Sequence, residues 1–481
     1  MRHSRQQIKS GFIWSAIDSV GNQAIALVIN LVLAKQLGPT DYGLVAMLTI
    51  FIAIANVFVN SGFNAALIRK KNRNEKDYAT TFYFSIIMSV ICYSLLFIFA
   101  PIISDFYNQI ELINLTRFIA LTTVINAFSI IPRTKLTVSL NFKNQAKANL
   151  TAIIVSGSIG LTLVFNGYGV WSLIVQQLTN ATINVIMLNL LSPWKPTESF
   201  CKHAFKELFG FGSKLLASGL IDTIYNNIYG LIIGKQFSAM QLGIFNQAHN
   251  LSSMPATIIT GVIQKVTYPM LSNIQDEEGR LDKAYLMVLK IAALTIFPIM
   301  LGIGIISEPM IMLLLGKEWK DSAPLISILT FGLMIYPIHA VNLNMLQVKG
   351  RSDLFLKLEI IKKLIITVAL FITVPMGITE ICIAIVVTSY IAIFINTYYT
   401  GKLSSISQST QIKTISPIAI SAIISASLGY YLGNGYESKV LSIATMLITS
   451  LAIYLVMLFI FQRSVLNEAK ELLRNTNDSI K

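Results

Sequence analysis

The sequence predicts an all-α polytopic membrane protein of about fourteen transmembrane helices. Three observations predict it: the composition, a set of apolar runs of membrane-crossing length, and a one-sided distribution of Lys and Arg between them. Hydrophobic residues fill 54% of the 481 positions and charged residues 12%, about half the charge of an ordinary soluble domain, and the mean hydropathy is +0.66. The runs at 11–34, 42–68, 285–306 and 440–461 exceed the roughly 20 residues that cross a hydrocarbon core as helix. Lipid offers no water to backbone N–H and C=O groups, so such runs close their hydrogen bonds internally. Barrel strands would alternate in polarity, and these runs do not.

In order, the spans are 11–34, 42–68, 79–103, 113–131, 149–166, 170–191, 213–233, 246–270, 285–306, 322–347, 358–375, 380–400, 414–432 and 440–461. The first is long and lacks a small-residue cleavage site, so it reads as a retained span and not a signal peptide. Turns are chemically explicit where they are short: Asn166-Gly167-Tyr168-Gly169 joins the fifth and sixth spans, and Gly433-Asn434-Gly435 joins the last two. The tail at 463–481 mixes Leu466, Leu472 and Leu473 with charges and is expected to form a short surface helix.

Orientation follows from the cations. Of 37 Lys and Arg, 29 fall on one side, in clusters such as Arg69, Lys70, Lys71 and Arg73, or Arg133 and Lys135. Lys35, Lys235, Lys317, Lys320 and Lys439 lie on the other, and Arg117, Lys265 and Lys290 fall inside spans. The basic side is the cytoplasmic one, and an even number of spans puts both termini there. Topology therefore accounts for most of the +14 net charge and removes the case for a nucleic-acid partner. The three cysteines, Cys92, Cys201 and Cys382, are too far apart for a C-x-x-C pair and read as inert membrane residues.

An internal repeat organises the chain. Ala34-Lys35-Gln36-Leu37 returns as Gly234-Lys235-Gln236-Phe237, and Gly43-Leu44 as Gly243-Ile244, at a constant offset of 200 residues. The same offset pairs Asn22 with Asp222. A shift of six helices preserves orientation, so the halves are parallel repeats, one of the arrangements found in secondary transporters with a substrate site at the repeat interface.

Ionisable groups inside the membrane cost about 2.5–3.5 kcal/mol each at the bilayer centre and so face a cavity or a partner. Asp18 and Asn22 share one helix face, as do Asp222 and Asn226, and Gln176, Gln177, Asn180 and Asn184 form an amide stripe. Arg117, Lys265, Lys290 and His339 add cationic or titratable groups. Arg117, Lys265 and Lys290 lie close enough to span ends to snorkel, and a lone His339 reads equally as a helix-packing hydrogen bonder. Asp18 and Asp222 are too short to snorkel, which favours a cavity. Asn56, Asn60 and Asn64, at four-residue spacing, can glue helices. The cations Arg117, Lys265 and Lys290, with Asn22, Gln176 and Gln177, suit an anionic substrate such as a diphosphate. Asp18, Asp222 and His339 suit coupling to H⁺ or Na⁺.

No catalytic, metal or cofactor motif accompanies them. Gly230 to Lys235 has the wrong spacing for a phosphate loop, and the longest outer loop, 307–321, carries only Glu308, Glu318 and Asp321. An enzyme is therefore not expected.

Three segments carry a family resemblance. Leu37-Gly38-Pro39-Thr40-Asp41-Tyr42-Gly43-Leu44 resembles the LGP-x-[DE]-[FY]-G-L signature of polysaccharide exporters. Ser61-Gly62-Phe63-Asn64-Ala65-Ala66-Leu67-Ile68-Arg69 resembles the same family's second-span end, and Leu315-Gly316-Lys317-Glu318-Trp319 with Ala323-Pro324-Leu325 its segment between the ninth and tenth spans. The family is that of the Wzx-type oligosaccharide flippases of the multidrug/oligosaccharidyl-lipid/polysaccharide exporter superfamily, in the branch resembling the colanic-acid exporters. The resemblance implies two six-helix lobes, 1–200 and 201–405, around a central cavity, two appended helices in 406–462 and a cytoplasmic tail. It implies alternating-access movement of an undecaprenyl-diphosphate-linked oligosaccharide from the cytoplasmic to the periplasmic leaflet of a bacterial inner membrane. The expected partners are that lipid-linked substrate, membrane lipids, a coupling ion and polysaccharide polymerase machinery. The matched motifs sit at helix ends, so none carries over a substrate residue. A cation-coupled drug exporter of the same superfamily and a membrane polymerase or ligase are the alternatives.

Overall fold

The computed structural model describes residues 2–60 and 62–462, without the side chains of 2–13, 15–17, 278 and 352. The predicted tail, 463–481, lies outside the described residues. Regular structure among those described is helical throughout, and it divides into two compact units, Met1–Gly243 and Ile244–Lys481.

The first unit begins with α1 (Arg2–Asn60), a ribbon that holds both the first and second predicted spans. The apolar stretch Asp18–Arg69, which continues past the end of α1, runs 52 residues, roughly 78 Å if fully helical, more than twice a hydrocarbon core. Gly38 breaks it, with φ 71° and ψ 174°, and Pro39 has no N–H to carry the ladder across. The second predicted span, 42–68, stops early for a similar reason. Gly62 takes φ 69°, and a Cβ there would lie 2.5 Å from the Gly212 carbonyl oxygen. The chain restarts as α2 (Phe63–Arg69), anchored by Phe63 stacked on Phe84 at 4.7 Å among buried Val59, Leu67, Ile131 and Leu208.

α3 (Glu75–Tyr107) opens with a capping box between Asn74 and Asp77, which satisfies two orphan N–H groups. The fourth predicted span is three pieces, α4 (Leu112–Ile119), α5 (Leu121–Ala127) and α6 (Ile130–Val138), with a 43° bend between the second and third. Pro132 supplies the cause: it cannot donate to the carbonyl of Phe128, which instead accepts from Asn189 Nδ2 at 3.5 Å. α7 (Phe142–Phe165) and α8 (Trp171–Leu191) form the expected hairpin, its turn made by Gly167 and Gly169 at φ 83° and 54°. α9 (Lys202–Gln236) then packs on α1, α2 and α3.

The second unit contains most of α10 (Ala239–Asn273), then α11 (Glu278–Ile305) and α12 (Ser307–Leu314). A 3-10 turn, Lys317–Trp319, buries Trp319 completely. There follow α13 (Ser322–Leu333), α14 (Tyr336–Val348), α15 (Ser352–Thr373), α16 (Ile378–Leu403), α17 (Gln408–Gly433) and α18 (Lys439–Phe461). Tyr285, Leu289, Ala292, Ala293, Ile296, Phe297 and Met300 run down one face of α11 and are all buried, the spacing of a helix with one packed stripe. α17 and α18 approach through Gly429 and Gly433, where a Cβ on Gly433 would sit 2.9 Å from the Met446 amide nitrogen; close backbone approach through small residues is the usual way membrane helices associate.

Among the described residues nine helices are long and apolar enough to cross a membrane, or ten if the bent fourth span counts as one. α9, α10 and α15 have the length but not the composition. They carry Lys214 and Asp222, Gln264 and Lys265, and Lys357, Glu359, Lys362 and Lys363 respectively. Fourteen crossings follow only if these polar helices also cross, with Gly38 dividing α1 in two.

Candidate functional site: a polar chain and pocket in the first unit

Asp18 on α1 accepts a hydrogen bond from Asn22 one turn away. It also accepts from Asn149 Nδ2 on α7, at 3.1 Å to each carboxylate oxygen. Asn149 Oδ1 in turn accepts from Asn184 Nδ2 on α8 at 2.8 Å, and Asn184 Oδ1 accepts from Arg133 Nη2 on α6 at 2.8 Å. A carboxylate and a guanidinium are thus joined through two amides, each accepting on one side and donating on the other. In surroundings of low dielectric such a chain compensates both charges without direct contact, and its members polarise one another.

The local sequence explains the geometry. The tight turn between α7 and α8 sets them antiparallel, which brings Asn149 and Asn184 level. The bend at Pro132 places Arg133 beside α8. Asn126, Ser129 and Arg133 recur at the three- and four-residue spacing that gives one helix face, and the bend carries that face into a pocket of about 260 Å³. Asn56, Asn60 and Asn64 line its other side. Asn60 Nδ2 donates to the Asn56 carbonyl at 2.8 Å, and Asn64 Oδ1 accepts from Thr134 Oγ1 at 2.6 Å. The asparagine stripe therefore both ties helices together and walls the pocket.

The other expected residues are placed as follows. Gln176 on α8 is half-buried against Gly160 of α7, while Gln177 is exposed. Arg117 on α4 lays its guanidinium over the Phe97 ring at 4.5 Å, and its Nε is buried without a hydrogen-bond partner. Asp222 lies on an accessible part of α9, Lys265 is exposed on α10, and Lys290 is half-buried on α11. His339 on α14 uses both ring nitrogens: Nδ1 meets Asn396 Nδ2 at 3.0 Å, and Nε2 meets Ser389 Oγ at 3.3 Å. An amide NH₂ can only donate, so Nδ1 is the acceptor and Nε2 carries the proton. Near it, Tyr285 Oη donates towards Asn342 Oδ1 and Gln411 Oε1, each at 2.9 Å, which ties α11, α14 and α17 together.

Arg133, Asn149, Asn126 and Ser129 are the residues that sequence reasoning missed. The loop-charge count groups Arg133 with the cytoplasmic cations, and it stands instead on a helix of the bent span. Its signal was present in the stripe Thr122, Asn126, Ser129, Arg133, a helical period of polar residues that continues past the expected end of the span. Among the described residues no three His, Cys, Asp or Glu side chains group closely enough to hold a metal ion.

A family model described as "Polysaccharide biosynthesis protein" matches residues 32–324. The chain is 25% identical over 351 residues to the teichuronic acid biosynthesis protein TuaB of Bacillus subtilis (strain 168), covering 73% of each. It is 22% identical over 369 residues to the lipopolysaccharide biosynthesis protein WzxC of Escherichia coli (strain K12), covering 74% of this chain and 73% of that one. Among solved structures, the lipid II flippase MurJ in an inward closed conformation superposes with a TM-score of 0.74 at 16% identity, over 95% of this chain and all of that one.

Proposed function

The chain belongs to the polysaccharide biosynthesis protein family, and from that premise we propose that it is a flippase. Its cargo is a lipid-linked oligosaccharide, taken from the cytoplasmic to the periplasmic leaflet of a bacterial inner membrane for polysaccharide assembly. TuaB and WzxC, named for teichuronic acid and lipopolysaccharide biosynthesis, and the fold similarity to a lipid II flippase support this reading. The observation that carries it is the chain Arg133–Asn184–Asn149–Asp18. Ionisable groups held among membrane helices mark substrate or ion pathways, and here a cation for an anionic cargo is wired to a carboxylate.

In this reading α9, α10 and α15 are crossings that tolerate their polar residues because they line water, which brings the spans to fourteen with both termini in the cytoplasm. The two repeats, 1–200 and 201–405, alternate access to the cargo, and the helices of 406–462 are appended. Asp18 takes up the coupling ion, H⁺ or Na⁺, on its carboxylate, and Asp222 serves as a second coupling carboxylate on α9. Arg117, Lys265 and Lys290 attract the diphosphate, and Gln176 and Gln177 add amide contacts. The cargo crosses without covalent change, so the chain is a transporter and no enzyme, and polymerase machinery takes the product outside.

The test is loss of the gene, followed by scoring which leaflet retains the lipid-linked oligosaccharide. Retention on the cytoplasmic side, reversed by the wild-type gene, is the expected result. Retention on the periplasmic side would mean a polymerase or ligase defect and overturn the reading.

A further inference from the structure

We propose that the asparagine pocket of the first unit is a subsite for one sugar ring, the one bonded to the lipid diphosphate, with Arg133 hydrogen-bonding the adjacent phosphate. The inference rests on the flippase reading and deepens it.

Size comes first. At about 260 Å³ the pocket falls just under the roughly 300–1,000 Å³ of drug-sized ligand sites, so it admits a single ring and not an oligosaccharide. Chemistry comes next. Asn56, Asn60, Asn64 and Asn126 present amides, and Ser129 a hydroxyl. An amide both donates and accepts, as does a hydroxyl, and neighbouring hydroxyls on a sugar ring ask for that mixture. Carboxylates would serve as acceptors but would repel a phosphate, and none is among the pocket's described lining residues. The charge among those residues is Arg133, which gives one N–H to Asn184 out of the five that a guanidinium carries. The rest suit a phosphate oxygen. A wall of uncharged amides beside one guanidinium thus matches a neutral ring next to an anion, the composition of a sugar-1-phosphate. Val59 and Ile130 complete the lining and offer apolar surface to a ring face.

The same residues explain how the subsite would communicate. Arg133 is the end of the hydrogen-bond chain that reaches Asp18. A phosphate that draws Arg133 forward competes with Asn184 for its N–H, and that change passes through Asn149 to the carboxylate.

The experiment uses the full chain in lipid nanodiscs and two probes, undecaprenyl diphosphate alone and the same lipid bearing one glucose or galactose. Wild type should bind a sugar-bearing probe about tenfold tighter than the bare one, the value of one or two hydrogen bonds. Asn126→Ala and Asn56→Ala should bring that ratio close to one while leaving the affinity for bare undecaprenyl diphosphate unchanged, and Arg133→Gln should weaken both probes. Should Asn126→Ala fail to give monodisperse protein, the near-isosteric Asn126→Leu makes the same measurement. A ratio that survives the asparagine substitutions overturns the subsite and leaves the flippase reading standing. Wild type that binds neither probe overturns both.

Discussion

Gly43 and Gly243, 200 residues apart, meet backbone to backbone. A Cβ on Gly43 would lie 1.7 Å from the carbonyl oxygen of Ala239, and one on Gly243 would lie 1.9 Å from the carbonyl oxygen of Pro39. The contact is reciprocal, since Pro39 and Ala239 are themselves 200 apart. The glycines that reveal the repeat in the sequence are thus the residues that let its two equivalent turns touch.

No side-chain rotation relieves a clash with backbone. Gly43→Ala and Gly243→Ala should each cost about 3 kcal/mol or more, the upper end of overpacking penalties. Gly230→Ala, in α9 with open space around it, should be neutral or slightly stabilising, because Ala is the better helix former. Thermal unfolding of the detergent-purified proteins compares them; equal midpoints for all three would remove the argument for a required close approach.

Tyr285→Phe tests the polar centre of the second unit. The side chain is wholly buried, and loss of the hydroxyl removes the one proton that the Asn342 and Gln411 oxygens share. Unsatisfied buried acceptors cost about 1–3 kcal/mol. The unfolding midpoint should fall while the protein remains monodisperse; an unchanged midpoint would show that water replaces the hydroxyl.

Asp18 and Arg133 are expected to behave as a unit. Asp18→Asn and Arg133→Gln should each reduce export by about tenfold or more at normal expression. Groups in one hydrogen-bond network lose function non-additively, so the double variant should be no worse than the poorer single one. Multiplying effects in an export assay would instead mean that the two residues act separately.

His339 separates coupling from packing. With both ring nitrogens engaged, it is expected to serve α14 and α16 as a neutral hydrogen bonder. His339→Gln, which keeps a donor and an acceptor, should preserve export within about twofold, and His339→Leu should lower stability by about 1–3 kcal/mol. Loss of export in the Gln variant at normal expression would return His339 to the proton pathway.

Much of the membrane class and span order was legible because periodicity, length and loop charge are local properties. The Asn166–Gly169 turn and the packed stripe of α11 follow from a few adjacent residues. The candidate site was half legible. Asp18, Asn22 and Asn184 stand out as polar residues in apolar runs, but Arg133 hid beside Lys135 in what looks like a loop. Its role depends on the bend at Pro132 and on α8 lying alongside, neither of which is written at position 133.

The sequence by itself determined the all-helical membrane class, the repeat and the pool of membrane polar residues, since each is a consequence of backbone satisfaction and charge cost in lipid. Only tertiary structure decided which of those residues meet. It joined Asp18 to Asn149, Asn184 and Arg133, occupied both nitrogens of His339, and set Gly43 against Gly243. It also drew the compact units at 243/244, with α9 packed on α1, whereas the sequence repeat leads one to expect a division at 200. Repeat boundaries record sequence equivalence. Contacts between helices distant in the chain depend on side-chain fit across them, and no local pattern specifies that fit.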